Sequence, residues 1–153
     1  MEHINTFKAA LTAAMALLTA LWGWFGWLII AWVICMCLDI LTGMASAAKD
    51  GAWSSKVARE GLLHKCACIV VVIIAGILDL VVGLLLGNMG DALPFTYTVL
   101  LCPLVVVWYI LTEAGSITEN AGKMGAPIPG WLSKMIDILQ DTVDKAAGDE
   151  DHK

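Results

Sequence analysis

Charged residues are scarce in this sequence, and basic ones are the scarcer kind. The 153 residues include 14 acidic and 9 basic side chains, and Arg59 is the only arginine. Because nucleic-acid binding requires a surface rich in lysine and arginine, this composition excludes a nucleic-acid partner. No charged residue occurs between Ala9 and Leu38. With 59% hydrophobic residues and a mean hydropathy of +0.81, the chain is predicted to be an integral membrane protein.

The sequence also lacks the common catalytic motifs. It contains no Walker loop, HExxH or GxSxG sequence, and two of its three histidines, His3 and His152, lie near the termini. No nucleophile or acid–base pair can be assembled from what remains, so we expect neither an enzyme nor a bound cofactor. The length allows one membrane domain of three or four helices without a separate soluble enzyme. The first apolar stretch runs into the next, which predicts that no signal peptide is cleaved.

The five cysteines do not form the pattern of a disulfide framework. All of them fall in or beside apolar runs, where a free thiol behaves as a small hydrophobic side chain. Counting about 1.5 Å per residue along each helix places the two cysteine pairs at different depths in the membrane. We therefore expect no metal site, because zinc requires ligands that converge on one point. The cysteines are Cys35, Cys37, Cys66, Cys68 and Cys102.

Apolar runs predict three firm transmembrane helices, at residues 24–47, 62–86 and 92–120. About 20 apolar residues are enough to cross the hydrocarbon core of a bilayer. A hydrophobic N-terminal helix at residues 4–21 either crosses the bilayer as well or lies at its surface. A short amphipathic helix follows at residues 131–143, with an apolar face for an interface or a partner. The predicted fold class is thus an all-α integral membrane protein, and the small residues and the family resemblance described below extend this expectation to a homo-oligomer.

These helices form one predicted membrane domain, residues 1–144, followed by a polar, acidic and disordered tail at residues 145–153. Residues 22–27 read Trp-Gly-Trp-Phe-Gly-Trp. The glycines predict a break between the N-terminal helix and the first firm span, and the aromatic rings suit the headgroup level. Pro94 lies near the start of the third span and Pro103 in its middle, where a proline is expected to kink the helix.

Residues 49–61 form the first dense polar loop, and its basic residues predict the topology. Together with Lys65, the loop places four basic residues next to two spans, and the positive-inside rule assigns it to the cytoplasm. Ser54 or Ser55 is a candidate N-cap for the second firm span. The candidate residues of this cytoplasmic region are Ser54, Ser55, Lys56, Arg59 and Lys65.

Acidic residues in or near the spans are the strongest candidates for function, because an unpaired ionisable group in lipid is costly. Asp39 can pair with Lys65 or with Arg59, and Thr42, one helical turn further on, can donate a hydrogen bond. Such a pair either fixes the register of the helices or makes the bundle metastable. The candidate charge and trigger residues are Asp39, Thr42, Asp79 and Glu113.

Small residues predict where helices approach each other closely. Two glycines four residues apart in the second firm span form a small-xxx-small pair. The helix-packing candidates are Gly43, Gly76, Gly83 and Gly87. After the third span, Glu113, Ser116 and Asn120 are spaced to share one face of a continuing helix, and a run rich in glycine and proline then stops that helix. The candidate residues of this post-span motif are Ser116, Glu119, Asn120, Gly125, Pro127 and Pro129.

Three blocks of sequence together resemble a known family. Leu38–Gly43 ends the first firm span, Ser54-Ser55-Lys56 leads to the second, and Glu113–Asn120 is followed by Gly125–Pro129. This arrangement is similar to the phage lysis and toxin-secretion holin family, which includes the clostridial toxin-release holins. The resemblance covers residues 24–132 and leaves the N-terminal helix outside. Thr112 departs from the family pattern, which often has Asn before the Glu.

The resemblance implies a small phage-encoded protein of the bacterial inner membrane. Such a protein accumulates harmlessly, assembles with copies of itself in the lipid bilayer, and then opens lesions that let an endolysin reach the cell wall. The endolysin is cargo rather than a bound partner, and an antiholin is a further candidate partner. The family offers no catalytic residue and no cofactor site to carry over, so the candidate residues above are structural and triggering candidates.

Two other functions remain open at this point. The chain can be an antiholin, a pore-silent relative that dilutes holin assemblies and delays lysis. It can also be a small ion channel or transporter subunit, with Asp39 and Asp79 as ion ligands. A channel predicts graded, ion-selective conductance, whereas a holin predicts release of folded protein.

Overall fold

The computed structural model describes residues 2–51, 54–88 and 99–148, and within these ranges it is all-helical, without strands. The three helices of the membrane domain are followed by a shorter fourth one. The elements are α1 (Glu2–Lys49), α2 (Ser55–Asn88), α3 (Leu101–Met124) and α4 (Gly130–Ala147). Three segments are long and apolar enough to cross a membrane, namely Gly23–Lys49, Ala58–Asn88 and Leu101–Met124.

Helix α1 is interrupted at Gly23. The backbone there has φ 56° and ψ −143°, a non-helical conformation inside the long helix. This region of backbone space is almost restricted to glycine, because any Cβ would clash there. The predicted break at the Trp-Gly cluster is therefore located at the first of its two glycines, and the first firm span runs on from there to Lys49.

The third span begins later than predicted. Helix α3 starts at Leu101, and residues 99 and 100 before it are not helical. The rest of the predicted start, residues 92–98 with Pro94, lies outside the described residues. The expected mid-span kink at Pro103 is wrong, because Pro103 is the third residue of the helix. In the first turn a proline is tolerated, since its missing N–H would have no partner within the helix.

Helix α3 is the central element, since α1, α2 and α4 all pack against it. Helix α1 runs in the same direction as α3, and α2 runs in the opposite one. The most extensive contact is between α1 and α3, whereas α1 and α2 touch each other little. The core lies where the first three helices meet, and the indole of Trp32 stacks on the ring of Tyr109, with centroids 5.8 Å apart. Its buried residues are Trp32, Met36, Cys68, Val72, Ala75, Cys102 and Val106.

Most of the apolar surface of α2 faces outward. Its large exposed side chains cover the helix from Leu62 to Leu85. A soluble monomer rarely exposes so large a continuous apolar patch. The outer face of α2 is therefore suited to lipid or to another membrane helix.

Helix α4 folds back along α3. The turn between them is made by Gly125, whose φ of 98° is left-handed, and its N–H donates to the carbonyl of Gly122 at 2.9 Å. Helix α4 is longer than predicted and extends to Ala147. The prediction of a disordered tail is thus wrong for residues 145–147, and residues 149–153 lie outside the described residues.

Two polar side chains of α4, Gln140 and Asp144, contact α3. The Gln140 amide donates to the Thr112 hydroxyl at 3.2 Å. The indole N–H of Trp108 donates to the Asp144 carboxylate at 2.7 Å. Helix α4 therefore packs on α3 along the border between its polar and apolar faces, which leaves part of the apolar face uncovered.

Candidate functional site

A buried cluster of charges joins the three long helices. Lys65 of α2 places its Nζ 2.9 Å from Oδ2 of Asp39 in α1, and it also forms an ion pair with Oε2 of Glu113 in α3. All three side chains are largely shielded, and Glu113 is only 3% exposed. Of the two bases predicted as partners for Asp39, Lys65 is the one that pairs with it. Arg59 is exposed and lies outside the cluster.

Asn120 completes the cluster on the side of Asp39. Its Nδ2 donates to Oδ1 of Asp39 at 3.3 Å. A Cβ on Gly43 would lie 3.6 Å from the same Nδ2, so the small residue lets α1 and α3 approach at this level. Glu113 and Asn120 thus lie on one face of α3, as their spacing predicted. Ser116, which shares their spacing, is half-buried.

Thr42 has a different role from the one predicted. Its hydroxyl donates to the backbone carbonyls of Leu38, at 2.9 Å, and Asp39, at 3.2 Å. It therefore does not donate to the Asp39 carboxylate. A hydroxyl that donates a hydrogen bond to a carbonyl of its own helix needs no acceptor from another helix in lipid. The Asn120 amide also lies 3.5 Å from the Thr42 hydroxyl, which accepts from it.

The cluster carries more negative than positive charge. Two carboxylates share one ammonium group, so Lys65 is the only cation that compensates Asp39 and Glu113 within it. In a medium of low dielectric constant each ion depends strongly on its counter-ion. Removing one partner of such a group leaves an uncompensated buried charge, which costs far more than the intact group contributes. The ionic link between the three helices therefore depends on a single side chain.

Asp79 does not join this cluster. It lies 14 residues further along α2, roughly 21 Å away along the helix axis. Its carboxylate accepts three backbone N–H groups at the start of α3, from Leu100 at 3.1 Å, Leu101 at 2.9 Å and Cys102 at 2.7 Å. Pro103 follows and has no N–H to satisfy. Asp79, which is 5% exposed, therefore caps α3 from a neighbouring helix and stabilises the positive end of its dipole.

The polar residues at the start of α2 lie on the surface. Helix α2 begins at Ser55, which puts Ser54 at the N-cap position, and the Ser54 carbonyl accepts from the N–H of Ala58 at 3.1 Å. Lys56 lies 3.9 Å from Glu60, one turn on, in an exposed pair. Ser54, Ser55 and Lys56 are exposed and lie outside the charge cluster.

The predicted packing glycines differ in what they contact. A Cβ on Gly76 would lie 3.7 Å from Sγ of Cys102, so this glycine lies at the α2–α3 contact. Gly83 lines an outer cavity of about 440 Å³ together with Asp79. Gly87 has open space around it within the described part of the protomer. Among the described residues, Gly87 therefore makes no helix contact within one copy.

The post-span motif ends α3 and starts α4. Glu119 pairs with Lys123 at 2.8 Å on the surface of α3. The Lys49 ammonium at the end of α1 donates to the carbonyl of Lys123 at 3.0 Å and so satisfies one of the last carbonyls of α3. Pro127 is exposed in the connection, and Pro129, with φ −64°, precedes the first residue of α4. Among the described residues, no group of three or more His, Cys, Asp or Glu side chains could hold a metal ion.

Comparison with known proteins gives one family. A family model described as the bacteriophage holin family matches residues 16–141. The match begins within the first segment of α1, so the shared region reaches further toward the N-terminus than expected. Members of this family permeabilise membranes and have no enzymatic activity, and the chain is accordingly not an enzyme. With its three apolar helices it is a multi-pass membrane protein.

Individual relatives agree with the family match. An uncharacterised protein of Halalkalibacterium halodurans is 34% identical over 140 residues, which cover 92% of this chain and 96% of that protein. An uncharacterised 14.9 kDa protein of Clostridium perfringens is 29% identical over 140 residues, or 91% and 97% of the two chains. A protein of Bacillus phage phi105 named "Probable holin" is 28% identical over 114 residues, or 74% and 75%. No solved structure matches this chain.

Replacing Lys65 should destabilise the bundle strongly. Lys65→Met keeps a long apolar stem but leaves Asp39 and Glu113 without a cation, and we expect the free energy of unfolding in detergent to fall by about 3–5 kcal/mol. Lys56→Met is the matched control, since it breaks only an exposed pair and should change little. Equal effects of the two substitutions in denaturant unfolding would show that the buried cluster contributes no special stability.

Replacing Asp79 should loosen the start of α3. Asp79→Ala removes the acceptor of three N–H groups, so the amides of Leu100, Leu101 and Cys102 should exchange with solvent at least ~10-fold faster. In Asp79→Asn, which keeps an acceptor oxygen, these amides should exchange faster than in the unchanged chain and more slowly than in Asp79→Ala. Asn88→Ala removes an exposed hydrogen bond within α2 and serves as the control, which should leave the exchange of these three amides unchanged. Unchanged hydrogen exchange at these three amides would mean that Asp79 does not hold the helix end.

Proposed function

Because the chain belongs to the bacteriophage holin family, we propose that it is a holin that permeabilises the inner membrane of a bacterial host. Copies accumulate in that membrane, assemble into homo-oligomers and open lesions. An endolysin passes through these lesions to the cell wall, and the host is lysed. The observation that carries the proposal is the family match over residues 16–141, which includes all three helices long and apolar enough to span a membrane.

The surface of the protomer supports assembly in lipid. The core between α1, α2 and α3 is small, and most of the large apolar side chains of α2 point away from it. In a bilayer these side chains are satisfied equally well by lipid tails and by the helices of another copy. Helix association in membranes is then decided by packing and by polar contacts rather than by the hydrophobic effect. The same outward face therefore suits both a dispersed protomer and an assembled one.

The charge cluster supports a delayed change of state. Helices α1 and α2 touch each other little, and the Asp39–Lys65 ion pair is a main link between them. When this link opens, α1 and α2 remain joined mainly through their separate contacts with α3, so the two helices are able to move relative to each other. Moving one charge through a potential of 100 mV corresponds to about 2.3 kcal/mol, which is comparable with the energy of such a link. We therefore propose that the cluster contributes to the timing of lysis.

Vesicle leakage tests the proposed function directly. The full chain should release a folded protein cargo from lipid vesicles, and its expression in a bacterium should stop growth abruptly and collapse the membrane potential. A channel would instead pass ions and retain the folded cargo. An antiholin would leave the vesicles intact and would delay lysis when expressed together with a separate holin. Either result would exclude the holin assignment.

Neutralising Asp39 should advance lysis. Asp39→Asn keeps the shape of the side chain but weakens the link between α1 and Lys65, so lysis should begin earlier at an unchanged level of protein in the membrane. Asp50→Asn is the matched control, because Asp50 is exposed and lies outside the cluster. The measurement is the time of growth arrest after induction, with the membrane level followed by immunoblotting. Unchanged or later arrest in Asp39→Asn would contradict a role of the cluster in timing.

A further inference from the structure

Between the charge cluster and the start of α3, the three long helices form a layer that contains no charged residue. The layer comprises residues 24–38 of α1, 66–78 of α2 and 101–112 of α3, and it is termed the apolar layer. At about 1.5 Å per residue, the α3 part alone extends over roughly 18 Å. That is more than half of the ~30 Å hydrocarbon core of a bilayer. The apolar layer is thus the part of the bundle that crosses lipid.

Helix α4 brings charged residues into the apolar layer. It folds back along α3, where the Gln140 amide donates to Thr112 and the Asp144 carboxylate accepts from Trp108. Because both bonds join neighbouring turns of the two helices, residues 141–145 lie beside the half of the layer that is nearer the charge cluster. The charged residues of this segment are Asp141, Asp144 and Lys145.

The surface that α4 exposes at this depth is polar or small. Lys145 pairs with Asp141 at 2.7 Å, and the two side chains remain 64% and 59% exposed. The exposed large apolar side chains of α4 end at Leu139, which precedes Gln140 and is therefore level with the charge cluster. Beyond it, the other exposed residues of the helix are Thr142, Ala146 and Ala147.

A face of this kind is incompatible with lipid tails. Charged side chains within spans almost always face the interior of a bundle or a water-filled cavity, because their contact with hydrocarbon is costly. The pairing of Asp141 with Lys145 reduces this cost, but an ion pair removed from water still loses much of its hydration. The exposed side of α4 therefore requires water at a depth where the other helices meet lipid.

The opposite side of the protomer is apolar at the same depth. Glu113 of α3 faces α2 and Gly115 faces α4, and at about 100° per residue these positions are roughly 160° apart around the helix. Helices α2 and α4 thus lie on different sides of α3, and the protomer has one charged and one apolar side. The outward residues of α2 in the apolar layer are Ile69, Val70, Val71, Ile73, Ile74, Ile77 and Leu78.

We infer that the α4 side of each protomer lines the water-filled lesion, with α4 docked on α3 and with Asp141 and Lys145 facing the water. The outer face of α2 then contacts lipid. The inference rests on the proposed function, since it names the surface that forms the inner wall of the same lesion. A single protomer in lipid would hold its charged side against acyl chains. Protomers that gather these sides around shared water avoid that cost, so the same surface favours assembly.

Nitroxide labels at matched depth test which side of the protomer meets water. p-Acetylphenylalanine in place of Thr142 or Val70 carries the nitroxide through its ketone and leaves the native cysteines unlabelled. Counted from the ion pair of Lys65 with Glu113 and the bond of Gln140 to Thr112, the two positions differ by only about 3 Å in depth.

The labelled full chain is assembled in vesicles of phosphatidylethanolamine and phosphatidylglycerol. Collisions with a water-soluble nickel chelate should be at least ~5-fold more frequent at position 142 than at position 70. Equal collision rates at the two positions would place this whole level at the membrane surface. Exclusion of the chelate from position 142 would place α4 against lipid or against another copy. Either result would overturn the inference.

A disulfide between α3 and α4 tests whether α4 stays docked in the open lesion. A Cβ on Gly115 would lie 3.9 Å from Cγ2 of Ile136, so the pair Gly115→Cys and Ile136→Cys is close enough to be bridged. The bridged chain should release folded cargo from vesicles as fully as the unchanged chain after the same oxidation. Release that is lost on oxidation and restored by reduction would show that α4 leaves α3, and would contradict the inference.

Removing the charged pair provides an independent test. Asp141→Leu combined with Lys145→Leu keeps the net charge and makes this side compatible with lipid, so cargo release should fall at least ~10-fold. Lys56→Leu combined with Glu60→Leu is the matched control, because it removes an exposed pair of the same spacing outside the apolar layer and should leave release unchanged. Equal release from the two variants, at equal helix content and membrane insertion, would refute the inference.

The inference and the proposed function can fail separately. Release of cargo by the unchanged chain without the expected contrast between positions 142 and 70 rejects the inference alone. The expected contrast without release of cargo rejects the proposed function alone.

Discussion

The arrangement of the three long helices depends on one ammonium group shared by two carboxylates. Lys65 is 9% exposed and is enclosed by Asp39 and Glu113, so neither acid has another cation in the cluster. Charges removed from water are tolerated only with close counter-ions and hydrogen bonds. This requirement fixes the position of α1 and α3 relative to α2 at one level of the bundle. The Asn120 amide and the small residue Gly43 then determine how closely α1 and α3 approach.

The two ends of α3 are satisfied by side chains of the other helices. Asp79 of α2 accepts the free N–H groups at its start, and Lys49 of α1 donates to a carbonyl near its end. Helix ends otherwise leave unpaired backbone groups, which are costly away from water. The central helix is thus held by polar contacts at three levels, while the outward surfaces of the bundle remain apolar. Such a protomer keeps its internal order and still presents a surface that is compatible with lipid and with other copies.

Hydropathy alone predicted the apolar segments well, because the bilayer imposes a simple requirement of length and composition. A break within residues 22–27, a basic partner for Asp39 and the shared face of Glu113 and Asn120 also followed from residue type, charge and spacing. That Glu113 shares the cation could not be predicted, since this requires knowledge of which face of α3 packs on α2.

The remaining differences between the sequence-based predictions and the structure have a common cause. Asp79 contacts backbone N–H groups, and no residue type in the sequence signals where such groups lie. Pro103 was assigned to the middle of a span because hydropathy does not show where a helix starts. Thr42 bonds within its own helix, and α4 packs through Gln140 and Asp144, because local geometry decides these contacts. The sequence pattern thus predicts the helices and some of the side-chain pairs. Contacts that depend on how each helix is rotated about its axis can be identified only from the three-dimensional structure.

A double-mutant cycle between Lys65 and Glu113 tests the shared cation most directly. The free energy of unfolding in detergent would be measured for Lys65→Met, for Glu113→Gln, for the two combined and for the unchanged chain. Because each substitution removes the same contact, the combined loss should be smaller than the sum of the single losses by about 1–3 kcal/mol. Single losses that add up within about 0.3 kcal/mol would show that Lys65 and Glu113 do not depend on each other, and would contradict the proposed organisation of the bundle.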